Sequence, residues 1–264
     1  MNSVQSQGTA LVTGASSGIG AVYAERLAAR GFDLLLVARD EQRLEAAAGK
    51  LRSAHGIKVE VLKADLTQKG DVLQLEQRLR SDSSISLLLN NAGVAADGLL
   101  ANADTDQLER MIQLNITAVT RLASAAAASF TKVGRGTIIN IASVVALFPE
   151  RFNATYSASK AYVLSLTQSL NAELNGTGVK VQAVLPGVTR TEIWERSGID
   201  ASQIPAEMVM EAGEMVDAAL SGLDQGELVT IPSLPDAGDW DAFVAARLVM
   251  APNLSKSKAA ARYR

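Results

Sequence analysis

Tyr156 and Lys160 stand four residues apart, so both side chains project from one face if the segment is helical. A phenol is a poor acid–base group at neutrality, its ordinary pKa lying about 3 units too high, or roughly 4 kcal/mol. An ammonium beside it favours the phenolate and closes part of that gap. Ser143, 13 residues before Tyr156, offers a hydroxyl able to steer a substrate oxygen. The pair alone is weak ground, because long helices acquire Tyr and Lys at this spacing by chance. A second grouping, Thr13-Gly14-Ala15-Ser16-Ser17-Gly18-Ile19-Gly20, suits a different task. Its glycines let the backbone turn sharply and approach a ligand. A helix beginning there presents free N–H groups and a partial positive charge to a pyrophosphate. The spacing is G-x-x-x-G-x-G and not the more usual G-x-G-x-x-G, so a dinucleotide cradle and an ordinary glycine-rich turn both fit.

Both groupings need a strand in front and a helix behind. Thr9–Thr13 reads as a strand and residues 18–30 as a helix. Strands are expected at 32–37, 58–62, 86–89, 136–142 and 179–184. Helices are expected at about 40–54, 70–80, 104–131 and 155–175. Six β-then-α steps with short connections predict an α/β fold, a doubly wound parallel sheet with helices on both faces. Ser143 then falls at the carboxyl end of the fifth strand, where open α/β sheets bind ligands. After Pro186 the pattern loosens: a mobile loop is expected at 191–205, a helix at 206–223, a seventh strand at 227–231 and a helix at 240–250. With no repeat or linker in view, residues 1–264 read as a single domain, with a substrate-covering segment at about 191–225.

The 264 residues carry 25 basic and 28 acidic side chains, no cysteine and one histidine, His55. A structural zinc site or disulfide framework is excluded. The acidic balance argues against nucleic acid as a partner. No run approaches the ~18 to 20 apolar residues of a membrane span, and the polar N-terminus gives no secretory signal, so a cytoplasmic location is expected. The second strand ends Val37-Ala38-Arg39-Asp40. In this fold an acidic residue there holds the adenosine ribose, whereas an arginine suits a 2′-phosphate. Ala38 has no group for a ribose and Asp40 reads as a helix cap. Arg39 therefore favours NADP over NAD, the competing reading being an exposed structural arginine. Lys256, Lys258, Arg262 and Arg264 make a basic ending, expected to be a frayed, solvated tail.

Together these residues resemble a classical short-chain dehydrogenase/reductase. The matching elements are Thr13–Gly20, Asp65, Asn90-Asn91-Ala92-Gly93, Asn115, Ser143, Tyr156-x-x-x-Lys160 and Pro186-Gly187-x-x-x-Thr191, in family order over residues 9–191. The resemblance implies a Rossmann-type sheet of about seven strands and an NADP-preferring oxidoreductase interconverting a carbonyl and a secondary alcohol. A nucleotide-sensing or scaffold protein without turnover, and an epimerase or dehydratase, are the rivals. By the family's roles, Tyr156 is the acid/base and Ser143 hydrogen-bonds the same substrate oxygen. Lys160 binds the nicotinamide ribose and lowers the tyrosine pKa, and Asn115 anchors a proton-relaying water. Gly14, Ser16, Ser17, Gly18, Ile19 and Gly20 cradle the pyrophosphate. Asp65 and Leu66 meet the adenine, Asn91 lines the ribose side, and Asn90 braces the central strand. Pro186, Gly187, Val188 and Thr191 hold the carboxamide and phosphates.

Two departures stand out: Ala142 where many members have serine, and Ile231-Pro232-Ser233-Leu234-Pro235 in place of the glycine-rich ending of many tetramers. A homodimer or homotetramer is expected, paired through the helices at 104–131 and 155–175, with Ala118, Ala123 and Ala125 to Ala128 allowing close approach. Residues 144–152 and 192–210 are expected to wall the pocket. They carry Leu147, Phe148, Phe152, Trp194 and Met208, with Glu150, Arg151 and Glu195 among them.

Overall fold

Short β-branched and leucine-rich runs alternating with longer helical stretches build a parallel sheet in the computed structural model, which describes residues 7–96, 98–192 and 204–264. The strands are β1 (Thr9–Thr13), β2 (Asp33–Ala38), β3 (Val59–Lys63), β4 (Ile85–Asn90), β5 (Gly136–Ile141), β6 (Val179–Val184) and β9 (Val229–Thr230). Their order is β3-β2-β1-β4-β5-β6-β9, all parallel. A separate two-stranded pair joins β7 (Thr189–Arg190) to β8 (Met210–Glu211). The helices are α1 (Gly18–Ala29), α2 (Glu41–His55), α3 (Lys69–Ser81), α4 (Thr105–Ile112), α5 (Val119–Val133), α6 (Ala154–Glu173), α7 (Ala212–Gln225) and α8 (Ala237–Met250).

Successive strand residues point to opposite faces, and here both faces are covered. Val12, Leu36 and Leu89 pack with Tyr23, Leu27 and Met215 on one side. Leu11, Leu35 and Leu88 pack with Leu75, Phe130 and Ile138 on the other. The strand order reverses between β1 and β4. That switch point opens the crevice at the carboxyl ends of the strands.

A chain of buried amides locks this crevice to α6. Asn90 Nδ2 donates to Asn140 Oδ1 at 2.9 Å, Asn140 Nδ2 donates to Thr167 Oγ1 at 2.9 Å, and Thr167 Oγ1 donates to Val163 O at 2.7 Å. Asn90 thus braces the central strands. Asn140→Ala strips two buried partners, and an unsatisfied buried polar group costs about 1 to 3 kcal/mol. A lowered denaturation midpoint with unchanged slope is the expected result.

Several expectations need correction. The helix expected at 206–223 starts only at Ala212. Before it, a 3₁₀ turn (Ala206–Met208) leads into β8, where Met210 N donates to Val188 O at 2.9 Å. The seventh strand is two residues long because it pairs only with Ala183 and Val184 of β6. The long helix at 104–131 contains a π turn over Gln113–Ala118. Its alanine face does not await a partner: Ala118, Ala123, Ala125, Ala126 and Ala127 are buried in the chain's own core, and Ala128 alone of that set is exposed. Small side chains there let α5 lie close to the sheet. The loop expected at 191–205 lies mostly outside the described residues.

The contacts divide the chain into two compact units, the first ending at Pro232 and the second running Ser233–Arg264. The second contains α8, capped by Asp236 through the Gly238 N–H, and a fully exposed ending that includes the four basic residues.

Candidate active site

β1 delivers Thr13 to the crevice, and the chain reverses through Gly14 (φ +67°) and Gly18 (φ +53°), both in the left-handed region that glycine tolerates. A Cβ on Gly20 would sit 2.3 Å from Gly14 O and 2.5 Å from Asn91 Nδ2, so the turn folds this tightly only with glycine there. Ser17 is the N-cap of α1, yet its side chain makes no capping bond, leaving the first-turn N–H groups facing the crevice. Ser16 and Ile19 are half-buried beside it. Thr191 packs over the turn, since a Cβ on Gly18 would meet it at 3.2 Å.

Asn91, expected on the ribose side, lies beside the glycine turn. Its Nδ2 donates to Thr13 O at 2.9 Å and Gly14 O at 3.3 Å, tying β4 to the glycine turn. Thr13 Oγ1 completes the tie by accepting from Asn91 N and Ala92 N and donating to Leu89 O. Asp65 likewise spends Oδ1 on Thr67 N and Thr67 Oγ1, making the turn that opens α3, with Leu66 buried behind it. Arg39 is exposed at the tip of β2, while Asp40 caps α2 through Arg43 N as the sequence suggests. Arg43 adds a second guanidinium at this end, paired with Glu192 at 2.8 Å.

Tyr156 sits in the first turn of α6, its N–H held by the Oδ1 of the N-cap Asn153 at 3.0 Å. Ser143 follows β5, its Oγ donating to Pro186 O at 3.3 Å. Val144 N also reaches Pro186 O, at 3.0 Å, which sets Pro186, Gly187 and Val188 alongside. Lys160 Nζ donates to Ile141 O at 3.0 Å and lies 5.8 Å from the Tyr156 ring centre. Burial pushes the Tyr156 phenol up to about 12, with the Ser143 hydroxyl pulling the other way. Burial pushes Lys160 down to about 8. For Tyr156, burial outweighs the opposing Ser143 hydroxyl.

Asn115 occupies the π turn, a distortion that recurs at functional sites. Its Oδ1 accepts from Val94 N at 3.0 Å, and its Nδ2 donates to Val94 O at 2.9 Å and Ser159 Oγ at 3.2 Å. Ser159 Oγ in turn donates to Tyr156 O at 2.7 Å. Gly93 had no role assigned beyond its motif. A Cβ on Gly93 would lie 3.3 Å from Asn115 Oδ1, a slightly tight approach, and 3.6 Å from Lys160 Nζ, so Gly93 sits close to both groups. Of the residues expected to wall the pocket, Leu147 is half-buried and Phe148, Phe152, Glu150, Arg151 and Met208 are exposed; Trp194 and Glu195 lie outside the described residues.

Among the described residues no group of three metal-ligating side chains forms, and no helix is long and apolar enough to cross a membrane. What converges at one end of the sheet is a glycine turn, an ammonium, a phenol and a serine hydroxyl.

Comparison with known proteins places this arrangement. A short-chain dehydrogenase from Sphingobium yanoikuyae in complex with NADPH superposes with a TM-score of 0.95 at 53% identity, covering 97% of this chain and 100% of that one. A bulky-bulky ketone specific alcohol dehydrogenase from Comamonas testosteroni gives 0.91 at 46% identity, with 98% and 99% covered. An uncharacterized oxidoreductase of Staphylococcus epidermidis is 34% identical over 84% of this chain and 93% of its own. The short chain dehydrogenase family matches residues 8–201, the stretch that holds the turn, Asn115, Ser143, Tyr156 and Lys160. The chain belongs to the short-chain dehydrogenase family.

Proposed function

We propose that the protein is an NADP-dependent ketone reductase and secondary-alcohol dehydrogenase with Tyr156 as its acid/base. The observation that carries this reading is the convergence of Ser143, Tyr156 and Lys160 at the carboxyl end of β5, within one crevice with the glycine turn. That crevice fits a dinucleotide: Gly14 and Gly18 turn the backbone through left-handed conformations in front of α1, and the α1 N-terminus is uncapped by side chains. Gly14, Ser16, Ser17, Gly18, Ile19 and Gly20 would hold its pyrophosphate, with Asp65 and Leu66 toward the adenine and Pro186, Gly187, Val188 and Thr191 toward the nicotinamide. Asn91 serves this site by bracing the turn.

When bound, the nicotinamide exchanges a hydride with the substrate carbon. The protein's own groups manage the oxygen. A phenol pushed up to about 12 is protonated at neutral pH, so Tyr156 stands ready to give its proton to the oxygen of a ketone being reduced. Ser143 Oγ–H, turned away from Pro186 O, would donate a hydrogen bond to that same oxygen and fix its position. Lys160, largely an ammonium at pH 7, supplies positive charge as the phenolate forms. Asn115 holds residue 94 and Ser159, and through Ser159 the backbone of Tyr156 itself.

Leu147, Phe148, Phe152 and Met208, expected to wall the pocket, suit a ketone with two sizeable apolar groups, the substrate type in the name of the Comamonas relative. A panel of such ketones with NADPH tests this reading: secondary-alcohol product must appear as NADPH is consumed. The cysteine-free composition suits a reducing interior such as the cytoplasm.

Arg39 carries the cofactor preference. A hydrogen bond to a charged group contributes about 1.5 to 3 kcal/mol, so Arg39→Ala should weaken NADPH binding at least ~10-fold and NADH binding little. Titration calorimetry with both nucleotides reads this directly; equal losses would mean that Arg39 contacts something other than the 2′-phosphate.

A further inference from the structure

Beyond β6 the chain crosses the end of the sheet. Just past β5, Val144 N donates to Pro186 O at 3.0 Å. Past β1, the Thr191 side chain packs over Gly18. Past β2, Glu192 Oε2 accepts from Arg43 Nη1 of α2 at 2.8 Å. In the order β3-β2-β1-β4-β5-β6 these contacts run from one side of the switch point to the other. Residues 186–192 therefore form a strap across the crevice, and the strap delivers the Glu192 carboxylate to the tip of β2, where Arg39 stands.

The charged groups at that tip are Arg39, Asp40, Glu41, Arg43 and Glu192, with Lys63 and Asp65 at the end of the neighbouring β3. Most of the carboxylates serve the local fold. Asp40 caps α2, its Oδ1 accepting from Arg43 N at 3.0 Å and its Oδ2 lying 3.5 Å from Arg43 Nε. Glu41 sits in the first turn of α2, where a negative charge offsets the helix dipole. Asp65 Oδ1 accepts from Thr67. Glu192 differs: it reaches Arg43 from 149 residues away along the chain. Both side chains of that pair are about half exposed, and an ion pair so exposed to water contributes little. A 2′-phosphate carries nearly twice the charge of a carboxylate and offers three oxygens to the guanidinium fork, so it is the stronger partner for the same group.

We propose that Arg43 is a second ligand of the cofactor's 2′-phosphate, beside Arg39, and that Glu192 competes with that phosphate for the Arg43 guanidinium. The carboxylate holds Arg43 until the phosphate arrives and then gives it up. Arg43 and Glu192 thereby set the preference between the two nicotinamide nucleotides in opposite directions: one favours the phosphate, the other lowers its advantage. This rests on the NADP reading above and is independent of the ketone chemistry.

Titration calorimetry with NADPH and NADH, without substrate and at one fixed salt concentration, tests this on four full-length proteins: wild type, Arg43→Gln, Glu192→Gln and the double variant. Arg43→Gln should weaken NADPH about tenfold and NADH less than twofold. Glu192→Gln should tighten NADPH about threefold and leave NADH unchanged, a gain that loss of a merely structural ion pair would not produce. In the Arg43→Gln background the same Glu192→Gln change should add nothing, because the contested group is gone. Arg43→Lys, which keeps the charge without the fork, should recover part of the NADPH affinity. Weaker binding of both nucleotides in Glu192→Gln overturns the proposal, since Glu192 then clasps the bound cofactor and does not compete with it. A threefold gain that persists in the double variant also overturns it, because Glu192 then acts on the phosphate by repulsion and not through Arg43. If Arg39→Ala weakens NADPH while Arg43→Gln does not, this inference fails and the NADP reading stands. The expected shifts in a protein that reduces no ketone uphold the exchange and defeat only the proposed reaction.

Discussion

Tyr156→Phe should lower kcat for ketone reduction by about three orders of magnitude, within the ~10²- to 10⁴-fold range of acid–base catalysis, while NADPH affinity changes less than about twofold. The substitution removes one oxygen from a buried ring and leaves the first turn of α6 capped by Asn153, so the fold has no reason to shift. The glycine turn, Arg39 and the α1 N-terminus are untouched. A stopped-flow transient separates the hydride step from product release, and the loss should lie in the hydride step. Activity within tenfold of wild type would show that the proton comes from elsewhere.

Lys160→Met should cost about 10²-fold in turnover and also weaken the cofactor, because in the proposed mechanism the ammonium serves both the phenol and the ribose side of the site. Loss of one without the other would break the dual role. The pH dependence sharpens this case. Burial lowers the Lys160 pKa to about 8 from an ordinary 10.5, so between those values the unfolded chain binds more protons at this position than the folded one. Stability through this group therefore rises with pH across that window, and the penalty of the buried charge is fully present below it. Lys160→Met removes the charge and should flatten the rise, measurable as the denaturation midpoint from pH 7.5 to 10.5. For wild type, reduction that depends on the ammonium should fall as pH climbs past about 8. Tyr156 works in the opposite direction: its pKa rises from 10 to about 12, so its contribution to stability declines with pH between those values.

Much of this architecture could be read from local chemistry. Thr9–Thr13 and 179–184 begin and end where their apolar runs do, and Asp40 caps α2 because a carboxylate before a helical pattern has an amide within reach. What escaped reading depends on distant contacts. Met210 looks helical until Val188, 22 residues earlier, offers it a strand partner. The alanines of α5 suit close approach to a partner or to the chain's own sheet equally well, and only the fold shows that the sheet takes them. The π turn at Asn115 leaves no mark on sequence spacing. Asn91 lies in the family motif, but its amide is drawn to the carbonyls of Thr13 and Gly14, 77 to 78 residues away. The pKa of Tyr156 moves up because burial, which no spacing reveals, outweighs the neighbouring hydroxyl.

The central claim is that Tyr156 and a nicotinamide act together on one ketone. NADPH deuterated at the transferable C4 position, incubated with the wild-type protein and a bulky ketone, tests it most directly by mass spectrometry of the product. The account predicts one secondary alcohol per NADPH consumed, with one deuterium on the carbinol carbon, and almost none from Tyr156→Phe under the same conditions. NADPH that binds to the wild-type protein but is not consumed with any ketone of the panel would contradict it and leave a nucleotide-binding protein without this reaction.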